Sequence, residues 1–237
     1  MKLLLLSNST NAGEKYLGFA KSYIREFSDN IEKTGGIFIP YAGVTISYDG
    51  YYERVNQVFS ELGLGLQSIH KFSDPIKAVE GANFIVVGGG NTFHLLTELQ
   101  NKNLLGTIRG KVTEGTPYIG WSAGSNITCP TIKTTNDMPI VGPSGFAALN
   151  ILPFQINPHY TDKNPAGHAG ETREDRIKEF LAVNPDIYVV GLREGTLLNY
   201  QDNRLRLKGQ KTARIFKSGI EPLELNHNDN FEFLLQQ

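Results

Sequence analysis

The residues with the clearest chemical potential are Gly120-Trp121-Ser122-Ala123-Gly124, a G-x-S-x-G string that directly follows the apolar run Pro117 to Trp121. An apolar run ending in this string predicts a strand, a sharp turn and a helix. The serine then sits at the turn apex with its hydroxyl exposed, and the amide of Ala123 is aimed at whatever Ser122 attacks. That chemistry is acyl transfer by a serine nucleophile. Gly and Ser are common and the string also occurs in ordinary turns, so its meaning depends on a base, an acid to orient that base, and donors for an oxyanion.

Five histidines compete for the base: His70, His94, His159, His168 and His227. His159 follows the strand-like run Ile151 to Ile156 through Asn157-Pro158. It is therefore expected at a strand's carboxyl end, where open α/β sheets place their ligand sites. His94 falls inside a helix, and His70 and His227 sit in polar connections. Two acids could orient the imidazole. Asp137, in Thr135-Asn136-Asp137-Met138-Pro139, gives the order Ser, acid, His. Glu194, two residues past the strand Tyr188 to Leu192, gives Ser, His, Glu. A triad is defined by geometry rather than order, and the position of Glu194 after a strand's carboxyl end favours it. Asp137 is then a loop carboxylate available to substrate or to loop structure.

Gly88-Gly89-Gly90-Asn91 follows the apolar run Asn83 to Val87. Backbone amides at such a turn could bind a nucleotide phosphate, but the spacing disagrees. A dinucleotide fingerprint starting at Gly88 needs glycine where Phe93 stands, and a Walker loop needs a Gly-Lys-Ser/Thr end that is missing. A bare glycine turn suits an oxyanion better: the N–H groups of Gly90 and Ala123 are the expected hole, at about 3 to 4 kcal/mol per donor in the transition state. His159, His168 and Glu171 are zinc-ligand types, yet their spacing matches no zinc pattern. No metal and no organic cofactor is expected.

These groups need elements to position them. Short apolar runs alternate with amphipathic stretches, which predicts strands separated by crossover helices. The expected strands are Lys2 to Ser7, Gly36 to Ile39, Gly65 to Ile69, Asn83 to Val87 and the run carrying Ser122. Helices are expected over Tyr51 to Leu62, from Asp74-Pro75 to near Gly81, and over Asn91 to Leu99 and Leu104 to Glu114. Asp74 caps its helix and Pro75 takes the first position, where a missing N–H costs nothing. Cys129 to Gly145 shows no period and reads as a long loop near the site. A helix from about Thr172 to Val183 and a strand Tyr188 to Leu192 follow, and from Thr196 onward the alternation suits a small antiparallel extension. The expected fold is one α/β domain over 1–237, with a mostly parallel central sheet and helices on both faces.

At 237 residues, 40% of them hydrophobic, the chain can build one sizeable core. A formal net charge of −1 gives no general pull toward nucleic acid or anionic membrane, and neither partner is expected. The single cysteine, Cys129, cannot form an internal disulfide, and the Leu3 to Leu6 run is too short for a signal-peptide core. A cytoplasmic protein, monomeric or a small homo-oligomer, is the expectation. The sequons at Asn8 and Asn126 are then chance matches that stay unmodified.

Several segments together resemble peptidase E. They are Gly88 to Phe93 (GGGNTF), Ile119 to Asn126 (IGWSAGSN), Thr134 to Val141 (TTNDMPIV), Gln155 to His159 (QINPH) and Gly170 to Arg173 (GETR). The similarity runs from the opening LLLLSNST to about Gly195. It implies a serine peptidase that removes N-terminal aspartate from dipeptides, with a fold like class I glutamine amidotransferases (flavodoxin-like) in which serine replaces cysteine. It implies a triad at Ser122, His159 and Glu194, an oxyanion hole near Gly90 and Ala123, and a substrate aspartate held by Arg173, with Asn91 and Asp137 as further substrate-binding candidates. Ser125 stands where alanine often follows in the family, and Arg193 replaces a proline before the glutamate. A cyanophycinase-like hydrolase acting on aspartyl polymers and a noncatalytic binding module of the same fold are the alternatives.

Overall fold

Strand β1 (Leu3–Leu6) is buried at every position, without the alternation of a half-exposed strand. A strand covered on both faces reads this way. The computed structural model describes residues 1–162, 167 and 170–236. Its larger sheet also takes in β2 (Gly36–Ile39), β3 (Leu66–Ser68), β4 (Phe84–Val87), β5 (Tyr118–Trp121), β8 (Thr196–Gln201) and β9 (Arg204–Gly209), in the order β3-β2-β4-β5-β1-β8-β9. Neighbours are parallel from β3 through to β1, whereas β8 and β9 add antiparallel.

Alternate residues of the central strands feed two cores. Leu3, Leu5, Ile39 and Val87 pack with Leu95 and Leu99 of α4 (Thr92–Asn101) and Ile108 of α5 (Leu104–Thr113). Leu4, Leu6, Phe38 and Val86 face Ile24 and Phe27 of α1 (Lys21–Ser28) and Val55 and Phe59 of α2 (Tyr48–Glu61). Helix α1 lies in a segment from which the sequence pattern gives no element. Helix α3 (Pro75–Glu80) starts as expected, the Asp74 side chain accepting from the Lys77 N–H at 3.1 Å.

Beside the expected large, mostly parallel sheet stands a second, small sheet that takes in strands from before the C-terminal extension as well. Strands β6 (Gln155–Tyr160) and β7 (Val189–Arg193) run parallel to each other but pair with β10 (Ala213–Lys217) and β11 (Ile220–Leu225), in the order β11-β10-β7-β6. Helix α7 (Arg173–Val183) covers this sheet through Ile177 and Leu181, which meet Tyr160, Val189 and Phe216. The C-terminal strands are therefore divided: β8 and β9 extend the large sheet and β10 and β11 complete the small one. A hairpin turn with Asp202 and Asn203 both at positive φ (53° and 58°) joins β8 to β9, a left-handed pair suited to strand twist.

The apolar run Ile151 to Ile156 is also not one strand. The amides of Ile151 and Leu152 both donate to the Thr128 carbonyl, at 2.9 and 3.1 Å, so the start of the run is a buried irregular segment tied to the chain that follows Ser122. Pairing in the sheet begins only at Gln155 and continues past His159. Residues 127–154 hold no helix or strand, only a Thr131 to Ala147 bridge, in keeping with the long loop expected there. Among the described residues no helix is long and apolar enough to cross a membrane.

Candidate active site

Ser122 sits between β5 and the short helix α6 (Ala123–Asn126) with φ 53° and ψ −113°. A non-glycine residue at positive φ is costly, about 1–3 kcal/mol, and persists only where its surroundings impose it. Here they do. The Ser122 N–H donates to the Leu6 carbonyl at 3.1 Å, and the Ser122 carbonyl accepts from the amides of Ser125 and Asn126. Ser125, in place of the expected alanine, buries its hydroxyl against the carbonyls of Leu6 (2.7 Å) and Gly120 (3.0 Å). It ties the turn to β1 instead of disturbing the helix.

Gly124 lets α6 lie directly on β4: a Cβ at that position would stand 2.2 Å from the Val87 carbonyl oxygen. Overpacking against backbone cannot be relieved by a rotamer change. Gly124→Ala is therefore expected to destabilise the fold by about 1–3 kcal/mol and to lower turnover with it. A thermal melt reads the first effect, and an unchanged melting temperature would show that α6 lifts off β4 freely.

The other two groups come from the second sheet and its junction with the first. His159 lies at an irregularity between Pro158 and Tyr160 where the β6 to β7 register slips, with φ 53°. Bulges of this kind re-aim a side chain. Glu194 and Gly195 are the two residues in which the chain crosses from β7 to β8, that is, from the small sheet to the large one. Ser7, immediately after β1, stitches the corner: its hydroxyl donates to the Leu192 carbonyl at 2.7 Å and accepts from the His159 N–H at 2.9 Å. The Asn8 side chain accepts from the Gly195 N–H at 2.9 Å. Nothing in the sequence pattern singles out Ser7.

In the resulting geometry, His159 Nδ1 lies 2.7 Å from Glu194 Oε1 and His159 Nε2 lies 2.8 Å from Ser122 Oγ. A carboxylate only accepts, so Nδ1 carries the N–H and neutral Nε2 is left to accept from the Ser122 hydroxyl. That tautomer can draw a proton from the serine and place the resulting positive charge beside a carboxylate.

Asp137 does not join this relay. Its Oδ2 accepts from the Thr92 N–H (2.7 Å), the Thr92 hydroxyl (2.5 Å) and the Thr135 hydroxyl (3.0 Å), fastening the long loop to the start of α4. Asn91 caps the same helix, accepting from the His94 N–H at 3.0 Å and donating to the Met138 carbonyl at 2.8 Å. Gly90 has φ 137°, and a Cβ there would meet the Ala42 carbonyl oxygen at 2.2 Å, so only glycine fits the turn. Among the described residues, no acceptor pairs with the amides of Gly90 or Ala123.

Ser122, His159, Gly90, Asn91 and Asp137 line one cavity of about 670 Å³. Arg173 lines a neighbouring cavity of about 560 Å³ that Asp137 also borders. Arg173 is the first residue of α7, behind the capping box of Thr172 and Asp175. Burial pulls its guanidinium below the ordinary arginine value while the charge of Asp137 opposes that shift. No carboxylate stands within ion-pairing distance of it among the described residues.

Arg193, where the resemblance to peptidase E implies a proline, has its own anchorage. Its guanidinium meets Asp162 at 2.5 Å and Glu224 at 2.8 Å and donates to the Thr212 carbonyl at 2.9 Å. The hydrogen bonds it donates to the Asp162 and Glu224 carboxylates raise its pKa above the ordinary value, and Arg193 holds Asp162 below its own. A side-chain clamp thus restrains the backbone just before Glu194, where a proline ring would restrain it covalently.

Of the remaining histidines, His94 Nδ1 lies 2.6 Å from the Tyr41 carbonyl oxygen, and His70 lies between Ser68 and Asp49. His168 falls outside the described residues, and Glu171 pairs with Arg176 at 2.5 Å. Among the described residues no group of three metal-ligating side chains occurs. Asn8 and Asn126 of the two sequons are buried and hydrogen-bonded.

A sequence model of peptidase family S51 matches residues 3–208. The chain belongs to peptidase family S51. This S51 peptidase is 52% identical over 237 residues to a peptidase E from Nostoc sp. (strain PCC 7120 / SAG 25.82 / UTEX 2576), covering all of this chain and 97% of that protein. It is 48% identical over 229 residues to a peptidase E from Shigella flexneri serotype 5b, covering 96% and 99%. A solved peptidase from an acI-B1 Actinobacterium shares the fold at TM-score 0.69 and 16% identity, covering 97% of this chain and 96% of that one. The S51 peptidase is thus a serine peptidase.

Proposed function

We propose that this S51 peptidase hydrolyses dipeptides carrying N-terminal aspartate, with Ser122 as nucleophile, His159 as base and Glu194 as its orienting acid. The observation that carries the reading is the continuous contact from Ser122 Oγ through His159 to Glu194, at 2.8 and 2.7 Å. His159 takes the hydroxyl proton as Oγ attacks the carbonyl of the aspartyl residue, and Glu194 steadies the imidazolium. The amides of Gly90 and Ala123 receive the oxyanion, each worth about 3 to 4 kcal/mol. The intermediate collapses when His159 Nε2–H protonates the departing amine, leaving an aspartyl ester on Ser122. His159 then deprotonates a water that attacks the ester, and free aspartate leaves as Oγ regains its proton.

Selectivity for aspartate is assigned to Arg173. A half-buried guanidinium with no carboxylate within ion-pairing distance among the described residues is poorly satisfied, and its planar fork can hold a substrate carboxylate by two parallel bonds. Asp137 and Asn91 complete the proposed substrate contacts, since Asp137 Oδ1 and one Asn91 N–H are not used in the loop and cap bonds. The proposed unit is the whole chain as one domain, because Ser122 comes from one sheet and His159 from the other.

Incubation with Asp-Leu, Asn-Leu and N-acetyl-Asp-Leu tests the reading: cleavage of Asp-Leu alone is expected. Turnover of the blocked peptide would instead favour a hydrolase of aspartyl polymers, and turnover of none would remove the aspartyl specificity. Arg173→Ala is expected to lower kcat/KM for Asp-Leu on the order of 100-fold or more, the size of an unpaired buried charge. Stability should change by no more than about 0.5 kcal/mol. Retained Asp-over-Asn preference in that variant would return the pocket to another residue.

A further inference from the structure

The cavity holding Ser122 contains a second unused cation. Arg54, on α2, lines it together with Tyr16, Trp121 and Ser122. It is the cavity's sole Lys or Arg among the described residues, its other charged or titratable neighbours there being Asp137, His159 and the tyrosines. No ion pair or hydrogen bond engages its guanidinium among the described residues. Its Cζ lies 5.8 Å from the centroid of the Tyr16 ring, and its charge acts on the Tyr16 and Tyr51 hydroxyls.

The surroundings of Arg54 are fixed to the nucleophile's turn. Tyr51, one helical turn earlier on α2 and so on the same face, donates its hydroxyl to the Gly89 carbonyl at 2.9 Å and accepts from Trp121 Nε1 at 3.2 Å. Tyr16 meets the Trp121 ring edge-on at 6.3 Å. The helix bearing Arg54 is thereby bolted to both the glycine turn and the residue before Ser122, and a stacked guanidinium keeps its N–H donors for a ligand.

We infer that Arg54 binds the free C-terminal carboxylate of the dipeptide's leaving residue, so that the enzyme reads both ends of a two-residue substrate. The inference rests on the aspartyl dipeptidase reading above. Under that reading Arg173 takes the aspartyl side chain, in a cavity that Arg54 does not line. The remaining anionic group of Asp-Xaa is the terminal carboxylate, one residue beyond the attacked carbonyl, and among the described residues Arg54 is the one unpaired cation in the cavity where that residue must lie. A longer peptide would place an uncharged amide there instead and lose the contact.

The test is a two-by-two comparison of wild type and Arg54→Met on Asp-Leu and on Asp-Leu amide, in which the terminal carboxylate is neutral. Wild type is expected to favour the acid about 10-fold in kcat/KM, the low end for a charge-assisted bond at an exposed position. The loss on the amide should appear in KM. Arg54→Met should fall to the wild-type level for the amide on both substrates, with its turnover of the amide unchanged. Equal losses on the two substrates, or none, overturn the assignment while leaving the aspartyl reading standing. If wild type cleaves neither, the aspartyl reading itself fails.

Discussion

Ser122→Ala is expected to lower kcat for Asp-Leu by about a million-fold while leaving the melting temperature nearly unchanged. The two halves of this expectation come from different parts of the same residue. Among the described residues the hydroxyl bonds only to His159 Nε2, so its loss removes the attacking atom without unpairing a buried group. The backbone carries the structural load, through the Leu6 carbonyl and the amides of Ser125 and Asn126, and alanine keeps all of those bonds. It also keeps a Cβ at φ 53°, so the strain of the turn is neither relieved nor increased. His159→Ala should match the loss in turnover, because residues acting as one unit do not contribute additively. Its backbone N–H still reaches Ser7. Initial rates with Asp-Leu and a thermal melt measure both quantities, and a Ser122→Ala protein with undiminished kinetics would end its assignment as nucleophile.

The placement of Ser122 was legible because everything that determines it is local. An apolar run, a glycine that admits the neighbouring strand and a helix start are all within a few residues. The same holds for α3, where Asp74 and Pro75 announce the helix, and for α7, whose Thr172 and Asp175 form a capping box. The second sheet was not legible. The Ile151 to Ile156 run has the composition of a strand, but whether its amides meet another strand or the Thr128 carbonyl depends on residues more than twenty positions away. The division of the C-terminal strands between two sheets likewise turns on Glu194 and Gly195, a crossing too short to leave a composition signal. Arg54 and Ser7 carry no signal in the sequence for a similar reason. Each is ordinary in its local sequence and acquires meaning only where two distant elements meet.

Exchanging the two candidate acids for amides separates their parts. Glu194→Gln is expected to reduce kcat by roughly 10,000-fold, because an amide facing Nδ1 can present its own N–H and select the tautomer whose Nε2 no longer accepts from serine. The side chain of Glu194 has no bond among the described residues other than that to His159, so folding stability should hardly move. Asp137→Asn should behave in the opposite way. Its Oδ2 receives two bonds from Thr92 that pin the loop to the first turn of α4, and a third from Thr135 within the loop. An amide oxygen can accept them but lacks the negative charge that favours a helix N-terminus, a loss of about 0.3–1 kcal/mol. The value of kcat/KM should then drop modestly, through KM, as the loop bordering the cavity loosens. The kinetic ratio of the two variants, read beside their melting temperatures, decides between them. A larger kcat loss in Asp137→Asn than in Glu194→Gln would assign the orienting role to Asp137, and would require the loop to leave Thr92 and swing its carboxylate to the imidazole.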